Sequence, residues 1–322
     1  MSTLLTLTAL TVALMGNGFG YGNAGHQAIG TVAENYLVGT RALKQVHALL
    51  KQGEGLDKAS TWADRAKLPD KYLSVEMKEF VTNNPEHHSY HYCDVPFRQK
   101  AYRAGITGTH KRDIVHILEL CIQVLQAPDD TAANPLKINK RVALLLIAHL
   151  VGDLHQPLHV GCSYIDENNN FVDPETGAKG QPDAGANYLH LKSRSGAALH
   201  GYWDTQTVKA ARDHLGVEDF PAALVKSSPA SPEWDAKGPV VTWPAQWATE
   251  TLGLAKICFE GLTPRDRFLV PKDEKHEEHF EWVVTLPPAY PQVSRDIVEQ
   301  ELSKAGYRLA ALLKAIWPEE EE

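Results

Sequence analysis

The sequence predicts an all-α fold: a single, mainly helical domain with long surface loops. Three observations predict it. Apolar residues recur at helical spacing in three long stretches, the stretches between them are rich in Asn, Asp, Gly and Pro, and no repeat or interdomain linker divides the 322 residues. Apolar residues make up 43% and charged residues 22%, enough hydrophobic material to fill a core, which excludes a disordered chain and a collagen-like repeat.

The chain opens with an uncharged, mainly apolar run from Leu4 to Met15, followed by Gly16-Asn17-Gly18-Phe19-Gly20. A bilayer span takes about 20 apolar residues, so this run is too short to be one. Its length and the small residues Gly18 and Gly20 predict a signal peptide over residues 1–20, cleaved after Gly20, although its start carries no Lys or Arg. Tyr21 would then begin a mature domain of residues 21–322, secreted or periplasmic.

The first of the three stretches, His26 to Leu37, carries Ile29, Val32, Ala33, Tyr36 and Leu37 on a helical repeat. Val142 to Val151 is nearly all apolar and predicts a helix buried on most sides. Val293 to Ile316 places Ile297, Leu302, Leu309, Leu312 and Ile316 on one broad face, a helix that closes the bundle. Asp166–Asn187 and Lys226–Pro244 read as surface excursions, and the alternation in Tyr188–Lys192 reads as a short strand. Cys93, Cys121, Cys162 and Cys258 leave buried thiols and one or two bridges equally open.

Two apparent motifs fail. Gly20 to Gly25 matches G-x-G-x-x-G, but no strand precedes it and no acidic residue occurs between Glu34 and Glu54. His276-Glu277-Glu278-His279 lacks the spacing of a zinc-protease helix and reads as a charged loop; His87 and His88 also read as loop residues.

The net charge is -8. A protein that neutralises phosphates with Lys and Arg should be basic, so phosphate handling here would draw positive charge from the 15 histidines and from bound metal. The informative stretch is His149-Leu-Val-Gly-Asp153-Leu-His155-Gln-Pro157-Leu-His159. His149 and Asp153 are i and i+4 on an apolar helix, where an unpaired carboxylate costs several kcal/mol, and a metal ion resolves that conflict. Pro157 breaks the helix and turns His159 to another angle. His200 and Asp204 repeat the i, i+4 spacing, and Asp64, His91 and Asp94 sit beside aromatics in Ser60-Thr-Trp-Ala-Asp64 and His91-Tyr-Cys-Asp94. Imidazole and carboxylate are the donors zinc takes outside thiolate sites.

In this order the motifs resemble the zinc-dependent, single-strand-specific S1/P1 nuclease family, related in fold to zinc phospholipase C. Tyr21-Gly-Asn-Ala-Gly-His26, Gly185-Ala-Asn187, Leu199-His-Gly-Tyr-Trp-Asp-Thr205 and Ala305-Gly-Tyr-Arg-Leu-Ala310 extend the resemblance over the mature chain. It implies three zinc ions. One would be held by Asp64, His91, His149 and Asp153, and a second by His159, His200 and Asp204. The third would use His26, Asp153 and the amine and carbonyl of Tyr21, where the family typically has Trp. It further implies Asp94 orienting the attacking water, Lys67 offsetting phosphoryl charge, Asn187 contacting phosphate and Tyr92 stacking a base. The implied activity is that of an endonuclease and 3′-nucleotidase, acting on single-stranded RNA and DNA and on nucleotide 3′-phosphates and leaving 5′-phosphates. Neither a membrane span nor a protein partner is implied. A zinc phospholipase C is the alternative, but that family typically carries Glu where Asp204 stands. A zinc-storage protein would have no use for Asp94, Lys67 and Asn187.

Overall fold

The computed structural model describes residues 21–128, 134–192, 197–216, 218–273 and 277–320; the expected signal segment lies outside them. Helix α1 (Gly22–Leu37) leads into α2 (Arg41–Leu49), the single turns α3 (Leu56–Ala59) and α4 (Trp62–Arg65), and α5 (Val75–Asn83). A short strand β1 (Val95–Pro96) separates these from α6 (Ile114–Gln126) and α7 (Lys140–Leu154). Asn139 starts α7 by accepting the Val142 N–H, and Pro157 prevents its continuation. Every residue of α7 from Val142 to Leu154 is buried, so the predicted central helix is the axis around which the others pack.

After α7 come β2 (Gly161–Cys162), β3 (Tyr164–Ile165), β4 (Phe171–Val172), β5 (Gln181–Pro182) and β6 (Leu189–Leu191), the last inside the predicted strand. Next are α8 (Leu199–Gly201), α9 (Thr207–Leu215), α10 (Phe220–Ser227) and α11 (Trp243–Phe259). Strands β7 (Arg265–Val270) and β8 (His279–Val284) precede α12 (Tyr290–Ile316), which packs along α1 and, more lightly, along α7 and α9. β1 pairs in parallel with β2; β4-β3-β5 and β6-β8-β7 form two small sheets, with β8 parallel to β6 and antiparallel to β7.

The fold is mainly helical, as expected, and four details correct the sequence reading. The β7–β8 pair was not anticipated, because β7 (Arg-Asp-Arg-Phe-Leu-Val) is an edge strand whose residues are nearly all exposed and show no alternation. His279 opens β8 and stacks on Tyr188 at 4.1 Å instead of lying in a charged loop; His276 is outside the described residues. His87 is buried, with Nδ1 donating to the Asn84 carbonyl. All four cysteines are free and buried, which closes the question of bridges. Among the described residues no helix is long and apolar enough to cross a membrane.

Arg308 ties α12 to the end of α7. Its guanidinium is buried and donates to the Trp234 carbonyl (2.8 Å), His155 Nε2 (3.2 Å) and Glu250 (2.6 Å). Removing it leaves the first two acceptors buried and unpaired. Arg308→Met should therefore cost about 3 kcal/mol of unfolding free energy by denaturant titration; a loss under about 1 kcal/mol would remove this clamp from the account.

Candidate metal centre

Five elements converge on α7. His26 comes from α1, Asp64 from α4, His91 from the turn before β1, His159 from the turn after α7, and His200 and Asp204 from the segment joining α8 to α9. That last segment, Tyr202–Gln206, winds as a π-helical turn, and His200 Nε2 reaches to 3.2 Å from Asp204 Oδ2 across it. The i, i+4 pair predicted there is present, though not in an α-helix. His26, Asp64, His91, His149, Asp153, His159, His200 and Asp204 are all buried.

These side chains form three groups of nitrogen and oxygen donors. Their ligand atoms lie within 4.8 Å of one another in His26–His149–Asp153, in Asp64–His91–His149 and in His159–His200–Asp204. Asp153 is the hub. Its Oδ2 lies 2.8 Å from His91 Nδ1 and 3.0 Å from His149 Nε2, and its Oδ1 lies 3.2 Å from His26 Nε2. The His26 contact lacks hydrogen-bond geometry, so both atoms remain unpaired. His26 in turn stacks on His149 at 3.9 Å. The ring fits because Gly152 faces it: a Cβ there would sit 2.9 Å from His26 Nδ1.

The donor set fits metal. Asp64 Oδ2, Asp153 Oδ1, Asp204 Oδ2, His159 Nε2 and both ring nitrogens of His26 are buried without a hydrogen-bond partner. Orphaned polar atoms normally cost too much to collect in one place. Three of the histidines are also oriented from behind. Nδ1 of His149 donates to the Ser60 carbonyl (2.6 Å), that of His159 to the His91 carbonyl (2.8 Å) and that of His200 to the Gly185 carbonyl (2.7 Å). A carbonyl can only accept, so each Nδ1 carries a hydrogen and each Nε2 faces the cluster, as in ligating histidines. Gln156 similarly donates to Asp204 Oδ1 at 2.8 Å.

Lys67 Nζ lies 2.9 Å from Asp64 Oδ1. Asp94 is half-buried and Tyr92 exposed; burial, followed by repulsion from Asp183, pushes the Asp94 carboxyl up to about 7. Tyr21 is buried with its hydroxyl donating to the His155 carbonyl at 2.6 Å, and it caps α1 in a left-handed conformation. Asn187 is partly buried, and its side-chain amide donates to the Ala184 carbonyl at 2.8 Å. His155 belongs to the packing: Nδ1 meets the Val151 carbonyl and Nε2 meets Arg308.

Asp183 escaped the sequence reading. Fully buried, it accepts from the Ser163 hydroxyl (2.6 Å), the Ser163 N–H (3.2 Å) and the Ala186 N–H (2.9 Å). It thereby pins a turn in which Ala184, Gly185 and Ala186 all have positive φ, a conformation that costs about 1 kcal/mol or more at an alanine. That turn delivers the Gly185 carbonyl to His200. Its only sequence signal was an acid two residues ahead of Gly-Ala-Asn, which periodicity does not register.

A family profile described as S1/P1 Nuclease matches residues 21–318. The chain belongs to that family. Among similar proteins, Endonuclease 2 of Arabidopsis thaliana is 26% identical over 98% of this chain and 96% of its own length. Nuclease S1 of Aspergillus oryzae is 25% identical over 98% of both, and Endonuclease 4 of Arabidopsis thaliana is 24% identical over 92% and 89%. As an S1/P1 nuclease the protein is a hydrolase of phosphodiester bonds in nucleic acid, and its three His/Asp groups can hold metal ions.

The charge state of the cluster makes metal uptake pH-dependent. Burial opposes charge on His149, but Asp153 and Asp64 outweigh it and lift the imidazole to about 10; His200 is also raised, against burial, by Asp204. Burial depresses His91 and His159, while Asp64 and Asp153 are held ionised against burial, chiefly by His149. At pH 7 the metal-free His149 therefore holds a proton that an ion must displace. Affinity for an added divalent ion should rise about tenfold per pH unit for each proton released between pH 6 and 8. Calorimetry in buffers of different ionisation enthalpy reads the proton count, and a count of zero would contradict this charge state.

Proposed function

We propose that this S1/P1 nuclease is a zinc-dependent endonuclease and 3′-nucleotidase of single-stranded RNA and DNA, exported after cleavage behind Gly20. The observation that carries the reading is the convergence of buried, unpaired carboxylate and imidazole atoms around Asp153. Asp64, His91, His149 and Asp153 would hold one ion, and His159, His200 and Asp204 a second. His26, Asp153 and the amine and carbonyl of Tyr21 would hold the third. Ions in such sites supply Lewis acidity toward phosphoryl oxygens and lower the pKa of water.

The chain's own residues account for the rest of the reaction. Asp94 accepts a hydrogen bond from the attacking water and aims it at phosphorus, opposite the departing 3′ oxygen. Lys67 offsets charge growing on the phosphoryl oxygens from the edge of the cluster. Asn187 holds a further phosphate oxygen. Tyr92 offers an exposed face to a base, and because a paired base is already stacked in its duplex, this favours single strands.

Tyr21 imposes one condition. While Gly20 is attached, the Tyr21 nitrogen belongs to a peptide bond whose lone pair is delocalised and cannot ligate. Protein beginning at Tyr21 should carry three zinc ions and release 5′-nucleotides from single-stranded RNA, whereas protein retaining residues ahead of Tyr21 should carry two. Elemental analysis and chromatography of the products check both. Equal zinc in the two forms excludes amine ligation, and mature protein that is zinc-free or releases 3′-phosphates would overturn the proposed function. Asp94→Asn should keep all its zinc and lose about 10²-fold or more in kcat, the scale of general-base contributions. Unchanged turnover would remove Asp94 from the reaction.

A further inference from the structure

Beyond the metal centre, the chain carries a groove of about 370 Å³ formed where β1 and β4 meet α11. Phe97, Phe171 and Phe259 form its wall, with ring centroids 4.7 to 5.8 Å apart. Phe97 and Phe259 are largely covered and back the half-buried Phe171 ring. Gly253 forms part of the lining, and a Cβ there would meet nothing within 4 Å. Arg98 and Lys256 stand on the rim, both exposed. Among the described residues, neither has a carboxylate within ion-pair distance, and Arg98 lies over the Phe97 ring at 5.6 Å. One acid, Glu260, shares the rim.

We infer that this groove is a second contact site for single-stranded nucleic acid: a base enters against Phe171, and the flanking phosphates meet Arg98 and Lys256. The inference rests on the nuclease reading and extends it from the scissile phosphate to a remote part of the strand. Three arguments carry it. Aromatic rings beside unpaired cations are the combination that binds single strands without sequence preference. In a chain of net charge -8, two uncompensated cations beside an apolar groove attract a polyanion locally. The strand β1 also joins the two places, since Phe97 follows Asp94 by three residues and so lies within about 10 Å of it along the chain. On this reading one strand occupies both sites, and the groove receives a base beyond the two that flank the cut.

Gly253 permits a test, because a Cβ there enters open space on the groove's lining and a non-glycine residue improves helix propensity. Gly253→Leu should raise KM for a 12-nucleotide single-stranded DNA about tenfold while moving KM for a dinucleotide less than about twofold. The exposed pair Arg98→Gln with Lys256→Gln should lower the slope of log KM against log salt for the oligonucleotide by about one. Binding of a labelled oligonucleotide, read by fluorescence anisotropy, should weaken in both variants. If both keep the wild-type ratio of oligonucleotide to dinucleotide KM and the wild-type anisotropy curve, the groove is not a nucleic-acid site, whatever the catalytic activity. If wild-type protein cleaves neither substrate, the nuclease reading fails, and the anisotropy comparison alone still decides the groove.

Discussion

The structure depends on a carboxylate buried at the end of an apolar helix. Asp153 has no access to water, and neutral hydrogen bonding does not satisfy it: three imidazole nitrogens crowd its two oxygens, and Oδ1 is left without a bond. Such a group is stable only with positive charge beside it. In the metal-free protein the proton on His149 supplies part of that charge; bound ions would supply it fully. The bundle is arranged to bring those partners in: α1, α4 and the turns that precede β1 and β2 each deliver one side chain to this point.

That requirement explains why the surroundings are specified so closely. Backbone carbonyls of Ser60, His91 and Gly185 fix three rings, Gly152 leaves room for a fourth, and Asp183 stabilises an otherwise unfavourable turn to place one of those carbonyls. None of these groups would touch a phosphate. They determine whether the donors sit at ligand spacing, so their loss would register first as altered metal uptake and only then as lost turnover.

Much of the fold and of this cluster was legible in the sequence. Helices α1, α7 and α12 were visible because a 3.6-residue repeat survives without tertiary context, and the predicted α7 differs from the observed one only at its ends; α11, which is longer than α7, was not read. His149 with Asp153 and His200 with Asp204 were legible because spacing on a helix fixes relative direction. That His26, Asp64 and His91 join them depends on how distant elements pack, and periodicity says nothing about that; there the resemblance to a family carried the expectation. The exposed edge strand β7 lacked any hydrophobic pattern. Asp183 acts through loop backbone, whose conformation leaves only a faint trace in residue type.

The four buried thiols have a practical meaning. Because Cys93, Cys121, Cys162 and Cys258 form no cross-links, the tertiary structure owes nothing to the redox poise of its surroundings. The polypeptide can mature without an oxidant or an isomerase, and a thiol reductant has no bond in it to break. Any harm such reagents do would come from competition for cations, and replenishing the ions should reverse it.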